Sequence, residues 1–272
     1  MDPAAVFGVA SLTWTTLTIV LVLAFCAGWI DAVVGGGGLL QLPALLLIPG
    51  LPPVSALATN KLGSIAGTTT AAVAYYRGVR PDLRTALPMA AFALAGSFGG
   101  AALASRLPAS VFKPVIVVAL IVVAAITIAR PQLGQDRRLR YHGRRHYAVA
   151  AVIGLVIGAY DGLLGPGTGS FLVIALVGVL GYSFLEASAK AKIVNFATNL
   201  GALLFFAPHG AVLWRLGIAL AVVNAGGGLL GSRTAMARGN RFVRIVFVVV
   251  VAVLLVKLGW DVYVEDVAPQ LG

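Results

Sequence analysis

Gly28-Trp29-Ile30-Asp31-Ala32-Val33-Val34-Gly35-Gly36-Gly37-Gly38 decides how this chain is read. An aspartate stands inside an apolar run and four glycines follow it. The pattern returns as Gly158-x-x-Asp161-x-x-x-Gly165-Pro166-Gly167-Thr168-Gly169-Ser170. Working outward, Ala56-x-Ala58-x-x-Lys61 is answered by Ala187-x-Ala189-x-x-Lys192, and Arg84 by Arg215. The ladder Gly96-x-x-x-Gly100-x-x-x-Ala104 returns as Gly227-x-x-x-Gly231-x-x-x-Ala235, and Lys113 returns as Arg244. The offset is 130 residues at the glycine stretch and 131 afterwards, so one insertion aligns two copies of a single unit. Internal duplication in an apolar chain is a mark of membrane transporters, whose sites lie where the copies meet.

The chain has 272 residues, 60% of them hydrophobic and only 11% charged; soluble domains carry roughly 25% charged residues. Apolar segments near 14–34, 55–76, 84–104, 111–129, 147–160, 187–207, 213–232 and 242–260 are mostly bilayer-length, roughly 20 residues. Two shorter runs, 39–49 and 169–181, lie between them. The expected fold is an all-α polytopic membrane protein with about 8–10 membrane segments, the lower end favoured. The first apolar run lacks a basic flank and does not read as a cleaved signal peptide. Cys26 is the single cysteine, so no intrachain disulfide forms, and no Cys/His spacing suits a metal. Neither a metal nor a cofactor is expected.

The net charge of +11 does not point to nucleic acid, because it is concentrated in short loops. Arg130, Arg137, Arg138, Arg140, Arg144 and Arg145 fall in one. Arg233, Arg238, Arg241 and Arg244 are expected in a second, and Arg77, Arg80 and Arg84 in a third. Such clusters set orientation by the positive-inside rule, with attraction to anionic membrane lipid as a by-product. With the basic loops cytoplasmic, the loop at 77–84 is inside and its counterpart at 208–214 outside, so the repeats have inverted topologies. The expected division is a first transmembrane repeat over 1–129, a basic cytoplasmic linker over 130–145 and a second repeat over 146–272. Both termini are then periplasmic or extracellular.

Leu39–Ile48 would rise only about 15 Å as a helix, half of the hydrocarbon thickness. It is closed by Pro49-Gly50. The first two segments of each half therefore read as a Gly-broken or re-entrant helix pair. Broken helix in a bilayer is tolerated where it is buried or lines a wet cavity, and restarting helices aim free N–H groups there. Gly36, Gly37 and Gly38, with Gly167, Thr168 and Gly169, are the candidates for such a cradle; plain helix packing against glycine is the alternative. No P-loop ending and no complete G-x-G-x-x-G unit supports a nucleotide.

Lys61 and Lys192 lie inside apolar segments, where a lysine needs an anion. A small anionic substrate would supply one; an ion pair to Asp31 or Asp161, or snorkelling to headgroups, would serve as well. The two aspartates could couple protons, cap the broken helices or hold the lysines. Asn60, Ser64, Asn195 and Asn199 stand within a turn or two of the lysines and could donate neutral hydrogen bonds, to an oxyanion or between helices. Lys190 has no counterpart and reads as a surface residue; Glu186 reads as a helix-start acid. The Gly-x-x-x-Gly ladders read as helix-packing faces, within the chain or across a homodimer. Arg84 and Arg215 read as positioning residues at helix starts.

Gly28-Trp29-Ile30-Asp31-Ala32-Val33-Val34-Gly35-Gly36-Gly37-Gly38, followed by Ala58-Thr59-Asn60-Lys61, resembles the TauE/SafE-type sulfite exporter family, and the likeness covers nearly the whole chain. In the second half Pro166 interrupts the glycines and Ala191 replaces the asparagine before the lysine, which makes any shared site asymmetric. The resemblance implies a bacterial inner-membrane permease for sulfite or an organosulfonate. The residues alone support a small-anion secondary transporter working by alternating access at a midplane site. A channel-like anion pore and a permease for another sulfur compound such as thiosulfate are the alternatives. An enzyme is not expected, because no Ser-His pair or His-Glu-x-x-His motif is present.

Overall fold

The computed structural model describes residues 3–107 and 137–262. The apolar segment at 111–129, Lys113, and parts of the 105–112 loop and the 130–145 linker lie outside these. Every regular element among the described residues is helical: α1 (Pro3–Phe7), α2 (Trp14–Val34), α3 (Gly38–Leu46), α4 (Pro53–Gly78), α5 (Leu83–Ala104), α6 (Gly143–Leu163), α7 (Thr168–Ala175, extended by a π-helical turn over Leu176–Leu180), α8 (Phe184–Phe206) and α9 (Trp214–Val262).

The helix ends follow local chemistry. Thr13 Oγ1 accepts from Thr16 N at 3.1 Å and starts α2, which Gly35 ends in a left-handed conformation (φ 85°). Pro53 opens α4, where its missing N–H costs nothing. Ser183 Oγ caps α8 by accepting from Glu186 N and donates to the Glu186 carboxylate, so this acid stands in the first turn of a helix as expected. One boundary differs from the sequence reading: Arg233–Arg244 is not a loop. It is helical on both sides of Gly239, whose non-helical backbone (φ 70°, ψ −169°) divides α9 into two helices with two of the arginines on each.

Among the described residues, four helices are long and apolar enough to cross a membrane unaided: α2, α5, α6 and Trp214–Val246 of α9. Their burial inverts the soluble pattern. On α2 the small residues Ala24, Ala27 and Gly28 face inward, while Ile19, Val22 and Phe25 are exposed. Val152 and Val156 on α6, with Ile218 and Val222 on α9, are likewise turned outward. Large apolar side chains outside and small ones inside suit a lipid solvent, in which close helix approach replaces hydrophobic burial as the cohesive force. Helices α4 and α8 are as long, at 26 and 23 residues, but turn polar residues inward: Thr59, Asn60, Lys61 and Thr68 on one, Lys190, Lys192, Asn195, Thr198 and Asn199 on the other. The chain is an all-α polytopic membrane protein.

The ladders pack reciprocally between the halves. A methyl at Gly96 or Gly100 of α5 would strike the carbonyl of Leu155 or Ala159 on α6. At Gly227 or Gly231 of α9 it would strike the carbonyl of Phe25 or Trp29 on α2. The fourth helix of each half thus lies on the first helix of the other, so these ladder faces are used within the chain, one of the two uses read for them.

Both short helices double back. Asn224 Nδ2 on α9 donates to Ala24 O of α2 at 3.0 Å and to Gln41 Oε1 of α3 at 2.7 Å, so α3 returns alongside α2. Ser11 Oγ, just before α2, donates to Pro49 O, just after α3. In the second half Arg138 N, before α6, donates to Gly181 O, after α7, at 2.8 Å. Each broken pair therefore returns to the level where it began, the re-entrant form of the two forms expected.

A polar pocket where two helix breaks meet

The two hairpin tips touch. Ser170 N donates to Gly35 O at 3.0 Å and Ser170 Oγ to Val34 O at 3.2 Å, and a side chain at either Gly35 or Gly169 would overlap the backbone of the other. Gly35 and Gly165 hold φ values of 85° and 87°, which only glycine adopts without strain. Chains reversing in so little space need glycine on both counts.

Around this contact the lysines and aspartates are exchanged between halves. Lys61 Nζ lies 2.7 Å from Asp161 Oδ2 and donates to Asp161 O at 2.7 Å. Lys192 Nζ lies 2.8 Å from Asp31 Oδ2 and also donates to Asp31 O. The lysine side chains are 1% and 0% exposed, and Asp161 is 2% exposed, whereas Asp31 retains 13%. The counter-charge for each lysine is a carboxylate of the opposite half, one of the alternatives the sequence left open beside a substrate anion. Lone lysines at this depth would be costly, and the main-chain oxygens add a second acceptor to each pair.

The pocket enclosed by these groups is lined by Asp31, Gly35, Gly38, Asn60, Lys61, Ser64, Asp161, Gly165, Gly167, Thr168, Gly169, Asn195 and Asn199. Of the residues expected at a site, Lys192 stands behind Asp31, and Gly36 and Gly37 sit in the turn; all three lie outside the lining. Gly37 packs on the Ala27 carbonyl and Asp31 Cβ, a structural duty. Gly35 and Gly165 were missed as lining residues although their place in both repeats marked them. The interior is about 20 Å³, room for one water-sized occupant.

Gly38 begins α3, and Thr168 and Gly169 begin α7, so two helix N-termini converge on the pocket. Each carries roughly half a positive charge. The two lysines and two aspartates cancel, which leaves these helix starts as the uncompensated field. Asn60 is 3% exposed and its Oδ1 has no hydrogen-bond partner. Its counterpart Ala191 has no polar side chain, so the pocket is two-fold in charge while its neutral polar side chains differ between the halves.

A family model described as "Sulfite exporter TauE/SafE" matches residues 20–258, a span that takes in both helix breaks and both ion pairs. The chain belongs to the TauE/SafE sulfite exporter family. Among its relatives in that family, a "probable membrane transporter protein ORF9" of Sinorhizobium sp. is 37% identical over 248 residues, 91% of this chain and 94% of that protein. The "probable membrane transporter protein YfcA" of Escherichia coli K12 is 34% identical over 257 residues, 94% of each chain. A "probable membrane transporter protein" of Haemophilus influenzae is 32% identical over 246 residues, 90% of this chain and 95% of that one. No solved structure matches the chain. This TauE/SafE family member is a multi-pass membrane transporter.

Two other polar features lie apart from the pocket. Lys190, expected at the surface, is 1% exposed and sits 4.3 Å from the Tyr182 ring centroid. Arg215 donates to Val6 O at 2.9 Å, the positioning duty expected of it.

Proposed function

We propose that this protein is a secondary transporter of a small anion, sulfite or an organosulfonate, exporting it by alternating access between two inverted repeats. One observation carries the reading: two helix N-termini from different halves meet at a buried polar pocket framed by two exchanged Lys–Asp pairs. The exchange supports a two-fold relation, because mapping Lys61 to Lys192 and Asp161 to Asp31 turns one pair into the other. Inversion is supported at the hairpin ends. Gly181 is bonded to Arg138 of the basic segment, whereas its counterpart region at Pro49 is bonded to Ser11, in a stretch without basic residues. On this reading the protein lies in a bacterial inner membrane with its basic segments cytoplasmic and its N-terminus outside.

An oxyanion exceeds the 20 Å³ interior, so loading it requires the two tips to part. The amides of Gly38 and Gly169, the hydroxyls of Ser64 and Thr168, and the side-chain amides of Asn195 and Asn199 would then receive it, with Lys61 shared between Asp161 and substrate. Reconstituted vesicles test this. Labelled sulfite and organosulfonate flux should saturate and be stimulated by the same anion on the opposite side. Lys61→Ala and Lys192→Ala should each reduce it by at least about tenfold, since an unpartnered aspartate would face the anion. Flux without saturation or counter-stimulation would indicate a pore, and unchanged flux in both variants would remove the site.

A further inference from the structure

We infer that the groove beside Gly239 binds one anionic phospholipid, with its phosphate on Arg241 and Arg244 and an acyl chain along the helix beyond them. This is a defined site, unlike the diffuse attraction of any basic loop for a charged bilayer, and it does not depend on which anion is carried.

The sequence after the helix break sets the pattern. Arg241, Arg244, Ile245, Val248 and Val249 recur at helical spacing (i, i+3, i+4, i+7, i+8), so they share one face of the helix that follows Gly239. That face runs about 12 Å along the axis at 1.5 Å per residue, cationic at its start and apolar beyond. Ile245, Val248 and Val249 are exposed. The same residues form one wall of a groove of about 650 Å³, and Phe184 at the start of α8 lies on the other. Leu185 N donates to Asn240 Oδ1 at 2.8 Å and ties the two walls together.

The charge argument is separate from the shape. Neither Arg241 nor Arg244 has an ion pair, hydrogen bond or ring contact with a described residue. Other arginines are committed: Arg137 pairs with Glu186, Arg215 donates to Val6 O, and Arg238 lies over the Phe242 ring. Two guanidinium groups one turn apart, without a counter-ion, suit a phosphate, whose oxygens match their forked donors. Setting the orientation of the chain requires basic residues but no cavity beside them. At the far end of the first stretch of α9, the groove beside Leu213 has about 290 Å³ and no charged residue in its lining. A ligand that fills the Arg241–Arg244 groove is therefore anionic at one end and apolar along the rest. A membrane phospholipid has that form. Free phosphate leaves the apolar face uncovered, and a second copy of this chain would have to bring a carboxylate to the arginine pair.

Native mass spectrometry tests this on the full chain in detergent, titrated with phosphatidylglycerol or phosphatidylethanolamine of the same acyl chains. The anionic lipid should bind at least about tenfold more tightly, since each arginine near the headgroup plane contributes a factor of about five. Arg241→Gln with Arg244→Gln should reduce that preference to within about twofold. Arg140→Gln with Arg144→Gln removes two exposed arginines outside the groove and should leave it intact. Val248→Trp, which fills the groove and keeps both charges, should weaken binding of the anionic lipid. Glycerol phosphate, the headgroup without chains, should not displace it. Equal binding of the two lipids, or equal loss of preference in both arginine pairs, overturns the inference in favour of diffuse attraction. Displacement by glycerol phosphate with no effect of Val248→Trp overturns it in favour of a free-phosphate site. A lipid-independent dimer that Val248→Trp dissociates overturns it in favour of a second copy in the groove.

Discussion

Lys61 and Lys192 show how one residue type can be expensive alone and tolerable in context. An ammonium in a bilayer-buried helix must be answered by a nearby anion. Here the answer lies 100 residues away for Lys61 and 161 residues away for Lys192, in the other half of the chain. Removing one partner of a buried pair leaves an uncompensated charge, a loss of about 3–5 kcal/mol. Asp161→Asn should therefore lower the unfolding temperature in detergent markedly. Lys61→Met combined with Asp161→Asn should recover much of that loss, and the cycle of single and double variants measures the coupling. Lys192→Met with Asp31→Asn should repeat the pattern with a smaller coupling, because Asp31 keeps 13% exposure and is better hydrated. The sequence pointed to these four residues through their duplication. It left open whether the lysines would meet each other's aspartates or a substrate, since that depends on where two distant helices cross.

At the scale of elements, glycine decides where helices stop and how closely they approach. Gly35→Ala would place a methyl at φ 85° and against the Gly169 backbone, whereas Gly50→Ala, at φ 75°, meets nothing within 4 Å. The second should cost only the left-handed backbone penalty, about 1 kcal/mol, and spare transport. The first should cost clearly more and abolish flux, because the tips can no longer close; thermal unfolding and vesicle flux on the two variants separate strain from collision. The ladders make a parallel case. Gly100→Leu would push α5 from α6, and Gly231→Leu would push α9 from α2. Each should give poorly folded or aggregated protein in size-exclusion chromatography, while Gly99→Leu, with nothing within 4 Å, should remain monodisperse. Helix spans were legible because apolar runs and caps are local: α2 begins and ends where its run does. The arginines of 233–244 were misread as a loop because charge density looks alike on a loop and on an interfacial helix. The break between the two helical stretches is the single non-helical residue Gly239 (φ 70°).

The whole molecule is organised by exchange. First helices lie on the other half's fourth helices, lysines pair with the other half's aspartates, and the two re-entrant tips close on each other. The proposed opposite orientation of the repeats has a direct consequence. In a Cys26→Ser background, Ser11→Cys and Arg140→Cys occupy corresponding places beside the two hairpin ends. A membrane-impermeant thiol reagent added to intact cells should label the first and leave the second until the membrane is opened. Labelling of both from one side would show that the repeats face the same way.

Taken alone, the chain's residues determined what is local or repeated: apolar spans, helix breaks at the glycines, and the few polar residues worth carrying into a membrane twice. These follow from periodicity, backbone conformational cost and the price of burying charge, which act over a few residues. Tertiary structure decided what depends on crossing points. It fixed which aspartate neutralises which lysine, which glycines line the pocket, that Lys192 stands behind Asp31, and that Asn60 Oδ1 is left without a donor. Those facts arise where helices from different halves come within hydrogen-bonding distance. Spacing along one strand of chain carries no record of such contacts.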